Sequence, residues 1–181
     1  MATRPVLLFG KLHLSERQFI VFNAAVFQVA WPVCVLGGSW IAAALTVLVV
    51  ALHLKAVPDT RRESIFLLQC AAAGFMCDLA LIQIGVIDTG GHLPPVWLTC
   101  LWVLFGTTVG YALRFFHGRL ALCVAGGAIF APLSYYGGAR LANVILFEPT
   151  WVAMLIIALV WSVIFPLLIH FYTVNKIKPA L

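Results

Sequence analysis

Charged residues are scarce in this chain of 181 residues, because Asp, Glu, Lys and Arg make up only 9% of it. Soluble domains carry about a quarter. Hydrophobic residues make up 64% of the chain, and its mean hydropathy is +1.08. A chain with so few charges has no means of covering its surface against water, so we expect lipid to be its solvent. The composition therefore argues against a soluble globular domain.

Acidic residues are also fewer than basic ones, six against eleven, which gives a net charge of +5. A positive charge of this size is common in nucleic-acid-binding proteins, but the position of the charges argues against that class. They lie in short clusters between apolar runs, as do the cytoplasmic loops of membrane proteins. We therefore expect membrane lipids, and no nucleic acid, as partners.

Paired metal-ligand spacings are missing as well. The five cysteines lie inside apolar runs and form no CxxC pair, and no H-x-x-H or H-x3-H spacing is present. Three imidazoles from different helix ends would be enough to bind a metal, but histidines near a membrane boundary are common. We predict no metal and no other cofactor. The histidines expected near the cytoplasmic face are His13, His53, His117 and His170.

Long apolar runs are what the chain has in abundance. A helix needs about 20 apolar residues to cross the hydrocarbon core, and six such helices are predicted. The first two share one run, with Gly37–Ser39 as the break between them. The predicted helices span about 19–36, 40–56, 64–87, 96–116, 120–139 and 150–172, within a transmembrane domain of residues 18–173.

The ends of the chain are expected on the cytoplasmic side. Residues 1–17 form an N-terminal segment, of which 5–14 is weakly amphipathic and is expected on the membrane surface, with a loose tail as the alternative. Residues 174–181 form the C-terminal tail. With six crossings, ten of the eleven Lys and Arg residues fall on one side and Arg140 alone on the other. The positive-inside rule therefore predicts an all-α, polytopic membrane helix bundle with both termini cytoplasmic.

Asp78 is the residue that fits this scheme least easily. It lies about 21 Å from the inner end of the third helix, at 1.5 Å per residue, which places it in the outer half of the bilayer. A carboxylate at that depth has to face protein or water. Arg140 is the only outer-side cation and is its expected partner, with Tyr136 one helical turn before it.

Two interpretations of this polar group stay open. In the first, an ion pair between Asp78 and Arg140 holds two helices together and binds no ligand. Alternatively, Asp78, Tyr136 and Arg140 hold the headgroup of a ligand, with aromatic residues lining the apolar part. Packing alone is the other explanation for those aromatic residues. The predicted ligand-binding residues are Asp78, Arg140, Tyr136, Tyr135, Trp31 and Trp102.

Three long segments carry a resemblance to a known family. They are "WLTCLWVLFGTTVGYALRF", "GGAIFAPLSYYGGARLANV" and "WSVIFPLLIHF". They resemble small bacterial inner-membrane proteins grouped as domain of unknown function 2878, and the likeness covers nearly the whole chain after Arg17. The family pattern W-x-x-F-x-T-T is matched by Trp102, Phe105, Thr107 and Thr108, and G-P-x-x-Y-x-x-G is matched by Pro132, Tyr135 and Gly138.

The chain departs from that family pattern at two places. Ala131 stands where the second motif usually has glycine, and Gly110 and Tyr111 stand where Asn-His often follows the threonine pair. The second departure puts a histidine-based role for that region in doubt. The resemblance implies a multi-pass protein of the bacterial inner membrane. Family genes tend to lie near genes for lipid-modifying enzymes, which favours a lipid-linked role without giving a mechanism.

The function predicted from the sequence is the binding of a lipid or small amphiphile at a polar site in the outer half of the membrane. The sequence shows no recognisable set of catalytic residues, which favours a protein that is not an enzyme. One alternative is a small transporter that uses Asp78. The other is a scaffold subunit of a membrane enzyme complex, with a protein partner or a second copy bound through Gly106 and Gly110.

Overall fold

A computed structural model of the chain describes residues 6–8 and 12–174. Five α-helices make up most of it: α1 Glu16–Ala56, α2 Thr60–Gln83, α3 Val96–Val109, α4 Leu120–Ala142 and α5 Thr150–Val174. Two short antiparallel strand pairs accompany them, β1 Val6–Leu8 with β2 Leu12–Leu14 and β3 Ile87–Asp88 with β4 Ile145–Leu146. The C-terminal tail predicted from residue 174 lies, after its first residue, outside the described part.

The first helix begins with a capping box and contains one break. The Ser15 hydroxyl accepts from the Gln18 amide, and the Gln18 side chain accepts from the Ser15 amide. The helix has 41 residues, or about 62 Å, which is twice the thickness of a hydrocarbon core of about 30 Å. Gly38 interrupts it with φ +70° and ψ −174°, a conformation open mainly to glycine. This break lies within the predicted Gly37–Ser39.

The third helix ends earlier than the predicted 96–116. The Thr107 and Thr108 hydroxyls donate to carbonyls one turn back at 2.6 Å, and the Leu113 amide then bonds to the Thr108 carbonyl, five residues behind. Asn23 of α1 contributes a buried hydrogen bond here, since its side-chain amide donates to the Thr107 carbonyl at 3.1 Å. The chain continues in turns to a short 3-10 helix at Arg114–Phe116.

Four of the helices are long and apolar enough to cross a membrane, namely α1, α2, α4 and α5, while α3 is a shorter apolar helix. The fold is therefore all-α and typical of a membrane protein, as predicted. The helix count of five differs from the six expected, because α1 runs through both of the first two predicted helices. The interruption at Gly38 is confined to a single residue.

The helices group into two compact units. Unit 1 comprises residues 1–72 and 96–114, and unit 2 comprises residues 73–95 and 115–181. Within unit 1, α1 packs on α3; a core of Ala30, Cys34, Ala42, Cys100 and Leu104 lies there. Within unit 2, α4 packs on α5.

The β3–β4 pair links the end of α2 to the segment after α4 within unit 2. Ile87 pairs with Leu146 and Asp88 with Ile145, and the Phe147 amide donates to the Val86 carbonyl at 3.0 Å. Two segments distant in sequence are thereby held side by side. This arrangement brings the second half of α2 next to α4, where the predicted site residues lie.

Candidate functional site

Asp78 is the most deeply buried carboxylate of unit 2, with none of its surface exposed. The Tyr135 hydroxyl of α4 donates to Asp78 Oδ1 at 2.5 Å. A carboxylate inside an apolar helix was expected to face protein or water, and Asp78 faces protein. Asp78 and Tyr135 thus connect α2 and α4 through a buried hydrogen bond.

Close packing of α4 on α5 sets the position of Tyr135. A side chain at Gly127 would place its Cβ 2.2 Å from the carbonyl oxygen of Trp161, so the two backbones touch there. Two helical turns further along α4, the Tyr135 ring meets the Trp161 ring edge-on, with centroids 6.4 Å apart. Tyr135 is therefore held between the α5 indole and the Asp78 carboxylate.

Arg140 and Tyr136 take a different direction from Tyr135. Arg140 is exposed, and Tyr136 is 41% exposed. Arg140 follows Tyr135 by five residues, which turns it by about 140° around the helix axis. The expected Asp78–Arg140 pair is consequently not among the ion pairs that the described residues form. Tyr135 takes the place predicted for Arg140.

The two tryptophans predicted to line the site belong to unit 1. Trp31 is partly buried in α1, and Trp102 is 3% exposed in α3. Their contribution to a ligand site remains a prediction. Gly106 of the same helix is covered inside the unit, because a Cβ there would meet Leu67 and Cys70 of α2 at 3.0 Å. Association of a partner through Gly106 and Gly110 likewise stays a prediction.

Unit 1 contains a second buried polar cluster, which was not predicted from the sequence. Glu63 of α2 is 2% exposed, and His53 near the end of α1 is 6% exposed. His53 Nε2 lies 3.4 Å from Glu63 Oε2, and the Tyr111 hydroxyl donates to Glu63 Oε1 at 3.3 Å. The His53 and Tyr111 rings also pack edge-on, 5.4 Å between centroids. Glu63 therefore joins three segments of unit 1.

The sequence did contain a signal for this cluster. Glu63 is an acidic residue directly before an apolar run, and only the short segment 57–59 separates α1 from α2. A turn that short brings His53 and Glu63, ten residues apart, to facing positions. The predicted third helix began at residue 64, so Glu63 was placed in the loop with the basic residues Arg61 and Arg62.

The chemistry open to these two clusters is hydrogen bonding and charge pairing. In the described part of the chain, no group of three or more His, Cys, Asp or Glu residues is arranged to hold a metal ion. Each carboxylate is engaged by a tyrosine hydroxyl, Asp78 by Tyr135 and Glu63 by Tyr111. On α4, by contrast, the polar side chains of Tyr136 and Arg140 are exposed.

Comparison with known proteins gives one match. Residues 20–167 match the family described as "Protein of unknown function (DUF2878)". No curated protein and no solved structure matches the chain. The matched range takes in all five helices apart from the first residues of α1 and the last of α5. The chain therefore belongs to the DUF2878 family, whose function is unknown, as its sequence motifs indicated.

Proposed function

We propose that this protein crosses the bacterial inner membrane six times, with both termini in the cytoplasm, and binds an anionic amphiphile on the outer half of α4. Two observations support six crossings. Gly38 divides α1 into halves of about 33 and 27 Å, each close to the thickness of the core. Turns and the 3-10 helix extend α3 to Phe116, and the basic residues then segregate to one side.

The observation that carries the ligand proposal is the exposed face of α4. Ile129 and Leu133 are each 55% exposed and Tyr136 is 41% exposed, and exposed Arg140 continues the same line. These residues are separated by three or four positions, so they form one stripe along the helix. An acyl chain would pack on the two aliphatic residues. A negatively charged headgroup would receive a charge-assisted hydrogen bond from Arg140.

The local positive charge of Arg140 favours an anionic headgroup beside it. In the six-crossing arrangement Arg140 is the only Lys or Arg on the outer side, and no ion pair with an acidic residue of the described chain neutralises it. The Tyr136 hydroxyl, one turn away, supplies a second donor. Asp78 lies behind this face and acts on it indirectly, by fixing Tyr135, the residue next to Tyr136.

Native mass spectrometry from a gentle detergent tests this proposal. We expect a discrete adduct with the mass of an anionic lipid on the wild-type chain, and its loss from Arg140→Gln. The matched control is Arg119→Gln, which changes an exposed arginine at the other end of α4. Equal adduct on all three proteins, or only a broad distribution of bulk lipid on each, would exclude a specific site at Arg140.

A transporter is the second candidate, because a fully buried carboxylate in a candidate membrane span is typical of ion-coupled carriers. In that case Asp78 would exchange a proton during transport. Proteoliposomes containing a pH-sensitive dye would show proton movement by the wild type and none by Asp78→Asn. The transporter candidate is contradicted if the wild type moves no protons, or if Asp78→Asn moves them as well as the wild type does.

A further inference from the structure

Gln28 is a polar residue on an exposed face of α1, far from either aqueous boundary. It follows Glu16 by twelve residues, about 18 Å along the helix, and the break at Gly38 lies about 15 Å beyond it. Its side chain is exposed, and within the described residues it makes no hydrogen bond. A carboxamide is thus turned toward the middle of the membrane.

Pro32 adds a second polar group at the same place. Proline has no amide hydrogen, so the Gln28 carbonyl, four residues earlier, loses its donor within the helix. Gln28 therefore presents two carbonyl oxygens and one amino group near the centre of the hydrocarbon. Lipid chains offer no hydrogen-bonding partner for them, and leaving such groups unpaired there is costly.

The surroundings of Gln28 fit a helix of a second chain. Val21, two turns before Gln28, is 68% exposed, and the side chain of Ala25, one turn before it, is also exposed. Val29 and Leu36, 66% and 65% exposed, lie beside this line of residues. A small residue at that spacing permits two backbones to approach closely. The face combines an apolar surface, a small residue and an unpaired carboxamide.

We propose that this α1 face binds the same face of a second copy of the chain, about a two-fold axis along the membrane normal. Complementarity argues for a copy as the partner, since a carboxamide carries both a donor and an acceptor. Around the axis, each Gln28 amino group donates to a carbonyl oxygen of the other Gln28. Such an interface is self-complementary, as a two-fold dimer requires. The residues of this surface belong to α1, whereas the amphiphile is assigned to residues of α4.

Energy transfer between two populations of the full-length chain, labelled at the C-terminus with donor and acceptor fluorophores, tests the dimer in liposomes. Transfer is measured against protein density at constant lipid composition. We expect the wild type to associate, and Gln28→Leu to weaken association by about threefold to thirtyfold, the range measured for polar side chains between membrane helices. Ala25→Leu, which blocks close approach, is expected to weaken it as well.

The control is Gln83→Leu, at the end of α2, because its amide already donates to the His92 carbonyl at 2.8 Å inside the chain. We expect its association to equal that of the wild type. Wild-type transfer no greater than that between non-interacting proteins at the highest density would overturn the proposal. So would association that Gln28→Leu leaves unchanged in a folded protein, verified by circular dichroism.

Discussion

Two glutamates of this chain make side-chain bonds in opposite surroundings. Glu63 is buried and accepts from Tyr111 while facing His53, whereas Glu16 pairs with Arg114 where about half of each side chain is exposed. Buried acceptors are costly to remove because the donors are then left without water, while exposed ion pairs contribute little. The two residues therefore form a matched pair for mutation.

We expect Glu63→Ala to lower the free energy of unfolding by about 2–5 kcal/mol, since it removes the acceptor of two buried bonds. Glu16→Ala is expected to lower it by about 1 kcal/mol or less. Thermal or denaturant unfolding in detergent, followed by circular dichroism, measures both. A loss for Glu63→Ala as small as that for Glu16→Ala would refute the role given to the buried cluster.

Adjacent tyrosines on α4 provide a second residue-level test. Tyr135→Phe removes the hydroxyl that donates to fully buried Asp78, so we expect a loss of about 1–3 kcal/mol in unfolding free energy. Tyr136→Phe removes an exposed hydroxyl and should cost less than about 0.5 kcal/mol. Tryptophan fluorescence during unfolding gives both values. If Tyr135→Phe lowered the free energy of unfolding no more than Tyr136→Phe does, the Asp78–Tyr135 bond would contribute no more to stability than an exposed hydroxyl.

The sequence predicted the burial of Asp78 but not its partner. The cost of a carboxylate in hydrocarbon is a local property, so one residue and its depth are enough to predict burial. The choice between Tyr135 and Arg140 depends on how α4 is rotated about its axis. That rotation comes from packing against α5 at Gly127, and one sequence does not contain it. Glu63 was missed for a similar reason, because its partners come from other elements.

Contact between α4 and α5 depends on a single missing side chain. We expect Gly127→Ala to destabilise the protein by at least about 1–3 kcal/mol, because its Cβ would lie 2.2 Å from the Trp161 carbonyl oxygen and the backbones would have to separate. Gly91→Ala is the control, since a Cβ there meets nothing within 4 Å. If the two variants had the same unfolding temperature, the close packing of α4 on α5 would be contradicted.

The break in α1 and the end of α3 depend on different kinds of interaction. The Gly37–Ser39 break was legible because a glycine pair inside an apolar run permits a non-helical conformation, and Gly38 adopts it. The end of α3 was not, because Gly110, which directly follows Val109, was interpreted as a helix-packing residue, and most residues from there to Phe116 are apolar. It is set by hydroxyl bonds within the helix and by Asn23 from another helix.

At the scale of the whole molecule, the number of crossings decides on which side of the membrane the loops before and after α2 lie. Composition and charge placement predicted a helical membrane protein, and the four long apolar helices agree with that. Helix length alone would permit four crossings, with α1 spanning once and α3 not at all. Six crossings require α1 to turn at Gly38. With a cytoplasmic N-terminus, six crossings place the α1–α2 loop inside and the α2–α3 loop outside. Four crossings place these two loops the other way round.

Labelling of single introduced cysteines with a membrane-impermeant maleimide tests the six-crossing arrangement most directly. Pro58→Cys reports the α1–α2 loop and Gly91→Cys the α2–α3 loop; both positions are exposed, while the five native cysteines are buried. In intact cells with a permeabilised outer membrane, we expect the reagent to label Gly91→Cys and not Pro58→Cys. Labelling of Pro58→Cys but not Gly91→Cys would contradict six crossings.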